Sequence, residues 1–178
     1  MAHQAQKDFL LSVKERFPNR FNDCSVLDIG SLDINGNNRY LFENYEYVGV
    51  DIGPGPNVDV ICKGHEFKSD TQFDIVVSTE CFEHDIFYKE TILNAINLTK
   101  SNGLFLFTCA SKGRAEHGTN RSGDPSASPY SHVEWNDYYK NLEESDIREF
   151  LNVEEVFSEF SFGYNPESFD LYFFGIKK

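Results

Sequence analysis

Apolar positions along the chain follow two spacings. Phe9, Leu10, Val13 and Phe17 recur three or four residues apart among polar neighbours, which is the spacing of one helical face, and Pro18 ends the run. The pattern predicts an N-terminal helix over residues 3 to 17, within a segment closing near residue 20, that caps or docks against the rest. Five short runs follow, at Val26 to Ile29, Tyr47 to Val50, Val58 to Ile61, Phe73 to Ser78 and Leu104 to Thr108. They are apolar on consecutive rather than alternate positions, which suits strands buried on both faces, as in a parallel sheet covered by helices. Between the fourth and fifth runs, residues 85 to 100 put Ile92, Leu93 and Ile96 on one helical face, a crossover helix. Strand, loop and strand at this spacing favour a right-handed α/β winding.

Residues 110 to 135 break the pattern. Gly113, Gly118, Gly123, Pro125 and Pro129 stand among Ser, Thr and Asn with little apolar periodicity, so a long loop is expected. Loops of this length in compact domains are functional lids or solvated excursions. Beyond it, Ile147, Phe150 and Leu151 mark a helix with Asn141 or Ser145 as its cap. Val156 to Phe162 and Leu171 to Ile176 then read as two strands parted by Gly163, Asn165 and Pro166, a hairpin-like pair.

Composition narrows the class. With 178 residues, 40% hydrophobic and 15% aromatic, the chain suits one domain over 1–178. Sixteen Lys and Arg against 29 Asp and Glu leave a net charge of -13, whose field repels polyanions and argues against duplex nucleic acid as partner. No basic stretch precedes an apolar one at the start, and no window of about 18 apolar residues occurs, so a soluble cytoplasmic protein away from membranes is expected. Cys24, Cys62, Cys81 and Cys109 form no C-x-x-C pair and read as small apolar residues.

The most informative stretch is Val26-Leu27-Asp28-Ile29-Gly30-Ser31, an apolar strand ending in an acid and a glycine. Asp51 closes the next strand, Tyr47-Val48-Gly49-Val50. A glycine lets a ligand approach the backbone, and an acid after the second strand can accept hydrogen bonds from two ribose hydroxyls. The plainer alternative is a turn glycine and a loop-capping acid. A dinucleotide's pyrophosphate calls for further glycines and a helix N-terminus, but here Gly30 is followed by Leu32 and Asp33, with no glycine before Gly36. Asp28 and Asp33 would oppose a pyrophosphate and suit a ligand with an ammonium and no phosphate.

S-Adenosylmethionine has that character, and on these residues the chain resembles the class I S-adenosylmethionine-dependent methyltransferases, in particular the type 11 methyltransferases. Val26 to Gly30 matches the family's glycine-loop motif and Tyr47 to Asp51 its ribose-binding acid. Phe73-Asp74-Ile75-Val76-Val77-Ser78 with Glu83-His84 looks like its fourth strand, and Asn102-Gly103-Leu104-Phe105-Leu106-Phe107 like its turn into the fifth. One departure is Leu32, where the family usually has a second glycine, implying a reshaped loop or a lower cofactor affinity. The resemblance implies a Rossmann-like three-layer α/β sandwich with a seven-stranded, mostly parallel sheet whose last strand is antiparallel. It implies that Asp28, Gly30 and Ser31 lie against the methionine part, that Asp51 holds the ribose and Ile52 touches the adenine. By the same precedent His65 and Glu66 contact the adenine edge, and Thr79 and Glu80 face the methionyl side.

Methyl transfer to a hydroxyl or amine needs alignment and removal of a proton. Three histidines qualify as bases: His84, beside Glu83, and His117 and His132, in the long segment with Arg114, Arg121, Tyr130, Glu134 and Trp135. That mixture suits a small-molecule or saccharide acceptor. No H-x-x-x-H or H-E-x-x-H spacing occurs, so no metal site is expected. Two rival readings remain open, an NAD(P)-dependent Rossmann oxidoreductase and a non-catalytic cofactor-binding or interaction module.

Overall fold

The structure, a computed structural model, describes residues 3–178; Met1 and Ala2 of the predicted N-terminal segment lie outside that range. Helix α1 (Gln4–Arg16) buries Leu10 and Val13 and leads through a 3-10 turn at Pro18–Arg20 into β1 (Asn22–Ile29). Then come β2 (Glu43–Asp51), β3 (Val60–Ile61), β4 (Phe73–Thr79), α2 (Tyr88–Leu98) and β5 (Thr99–Ala110). After the long segment and α3 (Ser131–Glu134) follow α4 (Glu144–Arg148), α5 (Val153–Val156), β6 (Phe157–Asn165) and β7 (Asp170–Lys177).

The seven strands form one sheet in the order β3-β2-β1-β4-β5-β7-β6. The first five pair in parallel, and β7, the last in sequence, enters antiparallel between β5 and β6. This is the expected fold class. The continuous apolar runs exist because both faces are covered. Leu27, Val76, Phe105, Phe107 and Phe173 point into a core with Ile92, Ala95 and Ile96 of α2. Their neighbours Val26, Ile75, Val77, Leu104, Leu106 and Phe174 point into a second core with Leu10 and Val13 of α1. Phe173 centres an aromatic set, its ring centroid 4.7 Å from Phe162 and 5.3 Å from both Phe107 and Phe157.

Several expectations need correction. The run at Val58 to Ile61 yields only the two-residue edge strand β3, both of whose side chains are exposed, because no strand or helix covers it. Leu93 is exposed; the packed face of α2 uses Tyr88, Thr91, Ile92, Ala95, Ile96 and Leu98. The helix marked by Ile147 splits into α4 and α5, and α4 is capped by neither Asn141 nor Ser145. Glu143 caps it, in a reciprocal box with Asp146. Residues 111 to 135 are not a bare loop, since they contain 3-10 turns at Asn120–Ser122 and Pro125–Ala127 as well as α3. Cys24 and Cys109 are buried, Cys62 and Cys81 half-buried, and all four are free thiols.

From β1 the chain runs outward to β2 and β3 and then returns to β4 on the other side. The carboxyl ends of β1 and β4 therefore flank a topological switch point, where open α/β sheets bind ligands. Ile29 sits in register with Val50 and with Ser78, which brings the chain after β1, β2 and β4 to the same edge.

Candidate functional site

At this edge a cleft of about 850 Å³, its open mouth included, runs between the loops after β1, β2 and β4 and the 127–135 stretch. Gly30 turns the chain out of β1 at φ 77°, and a Cβ there would lie 2.5 Å from the Cys81 Cβ, so only glycine fits. The Gly30 and Ser31 amides both donate to the Val50 carbonyl, at 2.9 and 3.1 Å, and the Leu32 amide donates to Asp51 Oδ2 at 3.0 Å. The loop thus folds over the end of β2. Leu32 itself lines the cleft, with its side chain packed over Gly55, where a Cβ would meet Leu32 Cδ1 at 2.3 Å.

The two acids of this half, Asp28 buried and Asp51 half-buried, form no salt bridge among the described residues, although the Arg39 charge acts on Asp28 from a distance. Asp28 is 1% exposed and accepts from the Tyr47 hydroxyl and from Asn38 Nδ2 at 3.2 Å, while its Oδ1 has no partner among the described residues. Burial pushes its carboxyl up to about 6, against the pull of those hydrogen bonds. Asn38 also donates to Thr79 Oγ1 at 3.2 Å, tying β1 to β4. Burial likewise raises Asp51, opposed by backbone amides including that of Leu32.

The half beyond β4 is built differently. Glu80 adopts φ 51°, a conformation costly for a side-chain-bearing residue and often found at functional sites. Its carboxylate accepts from Gln6 and lies 3.3 Å from Arg114 and 3.6 Å from His117 Nε2. Burial would raise Glu80, but the His117 hydrogen bond, the Arg114 charge and the Gln6 amide prevail and hold it at about 2. Glu83 and His84 follow on the buried 3-10 turn Phe82–His84. Glu83 Oε1 accepts the Ala110 amide at 3.0 Å, and burial followed by the nearby Glu80 charge pushes its carboxyl well up. His84 packs edge-on to His117 and Tyr139, with centroids 5.0 and 5.3 Å away, and burial lowers its imidazole to about 3.

Asp28, Gly30, Ser31, Asp51, Ile52, Thr79, Glu80 and His84 all line the cleft. Four other predicted site residues do not. His65 stacks at 4.3 Å on Phe87 with Glu66 beside it, one position past the lining residue Gly64. His117 stands behind His84, and His132 Nδ1 faces the Ser128 carbonyl at 3.4 Å. Arg114, expected to grip an acceptor, is instead committed to Asp170 at 2.7 Å and to Glu80.

Asn38 and Gln6 were not expected at the site, whereas Tyr130 belongs to the long segment expected as a candidate lid. Gln6 had a signal, since it lies one turn before Leu10 on the buried stripe of α1. Tyr130 lies flat over Gly53, where a Cβ would come within 2.1 Å of the ring, and its hydroxyl donates to the Pro54 carbonyl at 2.8 Å. Trp135 meets Phe87 at 5.5 Å and Lys63 at 5.1 Å, and Lys63 pairs with Glu134 at 2.8 Å. The 130–135 stretch is therefore fastened to the far wall of the cleft.

The sheet order and the switch-point cleft define the Rossmann-like architecture of methyltransferases. No protein-family model matches the chain, and no curated protein matches it in sequence. Solved structures match in fold. The 1,6-didemethyltoxoflavin-N1-methyltransferase of Burkholderia thailandensis, with bound 1,6-didemethyltoxoflavin and S-adenosylhomocysteine, aligns over 100% of this chain and 92% of its own at TM-score 0.60 and 14% identity. The N-methyltransferase NodS of Bradyrhizobium japonicum WM9, in complex with S-adenosylhomocysteine, aligns over 98% and 88% at TM-score 0.62 and 11% identity. Magnesium protoporphyrin IX methyltransferase of Synechocystis PCC 6803, with bound S-adenosylmethionine, aligns over 100% and 86% at TM-score 0.61 and 13% identity. No helix among the described residues is long and apolar enough to cross a membrane.

Proposed function

We propose that the cleft binds S-adenosylmethionine and that the protein transfers its methyl group to a small polar acceptor, a small molecule or a saccharide. The observation that carries this reading is the pairing of Gly30 and Asp51, a turn that admits no side chain beside a half-buried carboxylate with no ion-pair partner among the described residues. Three of the solved structures of this fold hold S-adenosylmethionine or S-adenosylhomocysteine, which supports the choice of cofactor.

The residues fit the group. Asp51 would accept the ribose hydroxyls, with the Leu32 amide fixing one carboxylate oxygen. Ile52 would pack on the adenine. Asp28, with its unpartnered Oδ1, Gly30 and Ser31 would face the methionine part, and Thr79 and Glu80 would close its other side. His65 and Glu66 stay outside this set. When bound, the cofactor supplies an electrophilic methyl group, so the chain's task is alignment and exclusion of water. Tyr130 and Trp135 would hold the 111–134 cover closed over the cleft, and opening it would break the Gly53, Pro54, Lys63 and Phe87 contacts together. His84, kept neutral by burial at the cleft wall, presents an uncharged imidazole to the acceptor side.

Thermal or chemical denaturation with S-adenosylhomocysteine and with NAD tests this. At about 100 times its dissociation constant, S-adenosylhomocysteine should stabilise the protein by roughly 2.7 kcal/mol. Stabilisation by NAD with none by S-adenosylhomocysteine would favour the oxidoreductase reading. Binding without turnover across a broad acceptor panel would favour the non-catalytic module.

A further inference from the structure

We propose that Glu83, His84 and His117 form a site for a divalent metal ion of the zinc and manganese class, open towards the cleft. One ligating atom from each of the three lies within 4.8 Å of the others, although His117 is far from the first two in sequence. The sheet makes the junction. Glu83 and His84 sit on the turn after β4, His117 comes from the segment after β5, and β4 and β5 are parallel neighbours ending at the same edge. Motif spacing could not show this, because the usual templates put two histidines on one helix.

Unused lone pairs point to an occupant. Glu83 is 0% and His84 5% exposed, yet Glu83 Oε2 and His84 Nδ1 have no hydrogen-bond partner among the described residues. Buried polar atoms seldom stay unpaired without a functional reason or a missing ion. Two of the three ligands, Glu83 and His117, are also oriented from behind, as metal ligands are. Glu83 Oε1 takes the Ala110 amide at 3.0 Å, which leaves Oε2 available. His117 Nδ1 lies 3.2 Å from the Ala115 carbonyl and 3.2 Å from the Tyr139 hydroxyl. With the proton of a neutral ring kept on Nδ1 and donated there, Nε2 would turn its lone pair to the metal, giving up the pairing with Glu80 Oε2, 3.6 Å away, that it makes when no metal is bound.

Two imidazoles and a carboxylate suit a borderline cation better than calcium or magnesium, which prefer all-oxygen shells. Glu80 borders the group as a further anionic oxygen, and the net charge of -13 favours cation entry. Three protein ligands leave a coordination position open, the mark of catalytic rather than structural sites. Of this group His84 and the bordering Glu80 line the cleft, so the open position would be reached from that side. This role rests on the methyl-transfer reading: an acceptor hydroxyl bound there would lose its proton to solvent more readily, so no histidine need act as base.

The test uses the full chain, stripped with a chelator and titrated calorimetrically with Zn²⁺ and Mn²⁺ alone, with bound metal counted by elemental analysis. One ion per chain is expected, with affinity falling in His117→Ala and in Glu83→Gln by at least the roughly 10- to 100-fold that loss of an outer-shell partner costs. His132→Ala should bind as the parent does. The half-exposed His117 keeps the test valid should the buried Glu83 variant fail to fold. Absence of stoichiometric binding overturns the site, as does equal affinity in His117→Ala, which would mean that His117 is protonated and simply pairs with Glu80. S-Adenosylhomocysteine binding is measured in parallel. Cofactor binding without metal binding sinks the metal site and leaves the function, whereas metal binding without cofactor binding does the reverse.

Discussion

The two halves of the cleft handle buried acid in opposite ways. On the β1–β2 side, Asp28 and Asp51 accept hydrogen bonds only from neutral donors, namely Tyr47, Asn38 and backbone amides, with the Arg39 charge a minor pull on Asp28, and burial raises both. On the β4–β5 side, Glu80 is held down to about 2 by His117, Arg114 and Gln6. A buried carboxylate without a nearby cation is costly, and the cost is tolerated where a ligand brings the missing hydrogen bonds or charge. The first half is therefore built to be completed from outside, and the second is largely completed by the chain itself.

The largest test of that contrast removes the internal cation. Arg114 bridges Glu80 and Asp170, whose side chains are 2% and 0% exposed. Arg114→Ala would leave Glu80 to His117 and Gln6, and Asp170 to His3, Ser168 and Tyr172, so it should cost up to the roughly 3–5 kcal/mol of a broken buried pair in urea denaturation. Arg114→Lys should recover part of the loss, since it keeps the charge but not the two-pronged geometry. A loss under about 1 kcal/mol would mean that the second half does not depend on its own cation.

The next test removes an uncompensated acid. Because the folded carboxyl of Asp28 lies near 6 and its ordinary value is 3.8, the unfolded chain ionises first as pH rises. Both states are protonated well below pH 4, so no penalty exists there; it grows between about 4 and 6 and is complete above. A difference of about two units corresponds to ~3 kcal/mol. Asp28→Asn should flatten the loss of stability between pH 4 and 6 and stabilise the apo protein at pH 7 by up to that amount. The gain is smaller to the extent that one amide oxygen serves Tyr47 and Asn38 less well than a carboxylate. A variant less stable than its parent at pH 8 would show that Asp28 is structurally satisfied.

Local patterns made the first half readable and left much of the second hidden. Consecutive apolar residues ending in Gly30, and a second run ending in Asp51, declare the strands and the switch point because strand burial and glycine's conformational freedom act within a few residues. Glu83, His84 and His117 meet only through the pairing of β4 with β5, a long-range relation that motif spacing does not encode. Leu93 erred in the other direction, since an apolar residue on a helix can remain exposed when the packed face is filled by Ile92, Ala95 and Ile96. Tyr130 was legible as part of the long segment, but not its contact, because Gly53 lies across the cleft.

The smallest expected effect is the most specific to ligand binding. Asp51 is an acceptor whose charge the protein does not neutralise, so its removal should relieve the apo protein while harming the complex. Asp51→Ala should weaken S-adenosylhomocysteine binding by about 1.5–3 kcal/mol, or roughly tenfold to a hundredfold in calorimetric Kd. Asp51 Oδ2 also fixes the Leu32 amide, so a loosened loop could mimic that loss. Asp51→Asn separates the two effects, because its amide oxygen can keep the Leu32 contact while the charge is gone. If the ribose hydroxyls donate to a carboxylate, Asn should lose much of the affinity although the loop holds. If Asn binds as the parent and only Ala is impaired, the acid serves the loop, and the ribose is held elsewhere. In either variant the apo protein should be no less stable than the parent at pH 7, because burial raises this carboxyl as it does Asp28. A clear loss of apo stability would place Asp51 with Glu80 among the acids the chain satisfies for itself.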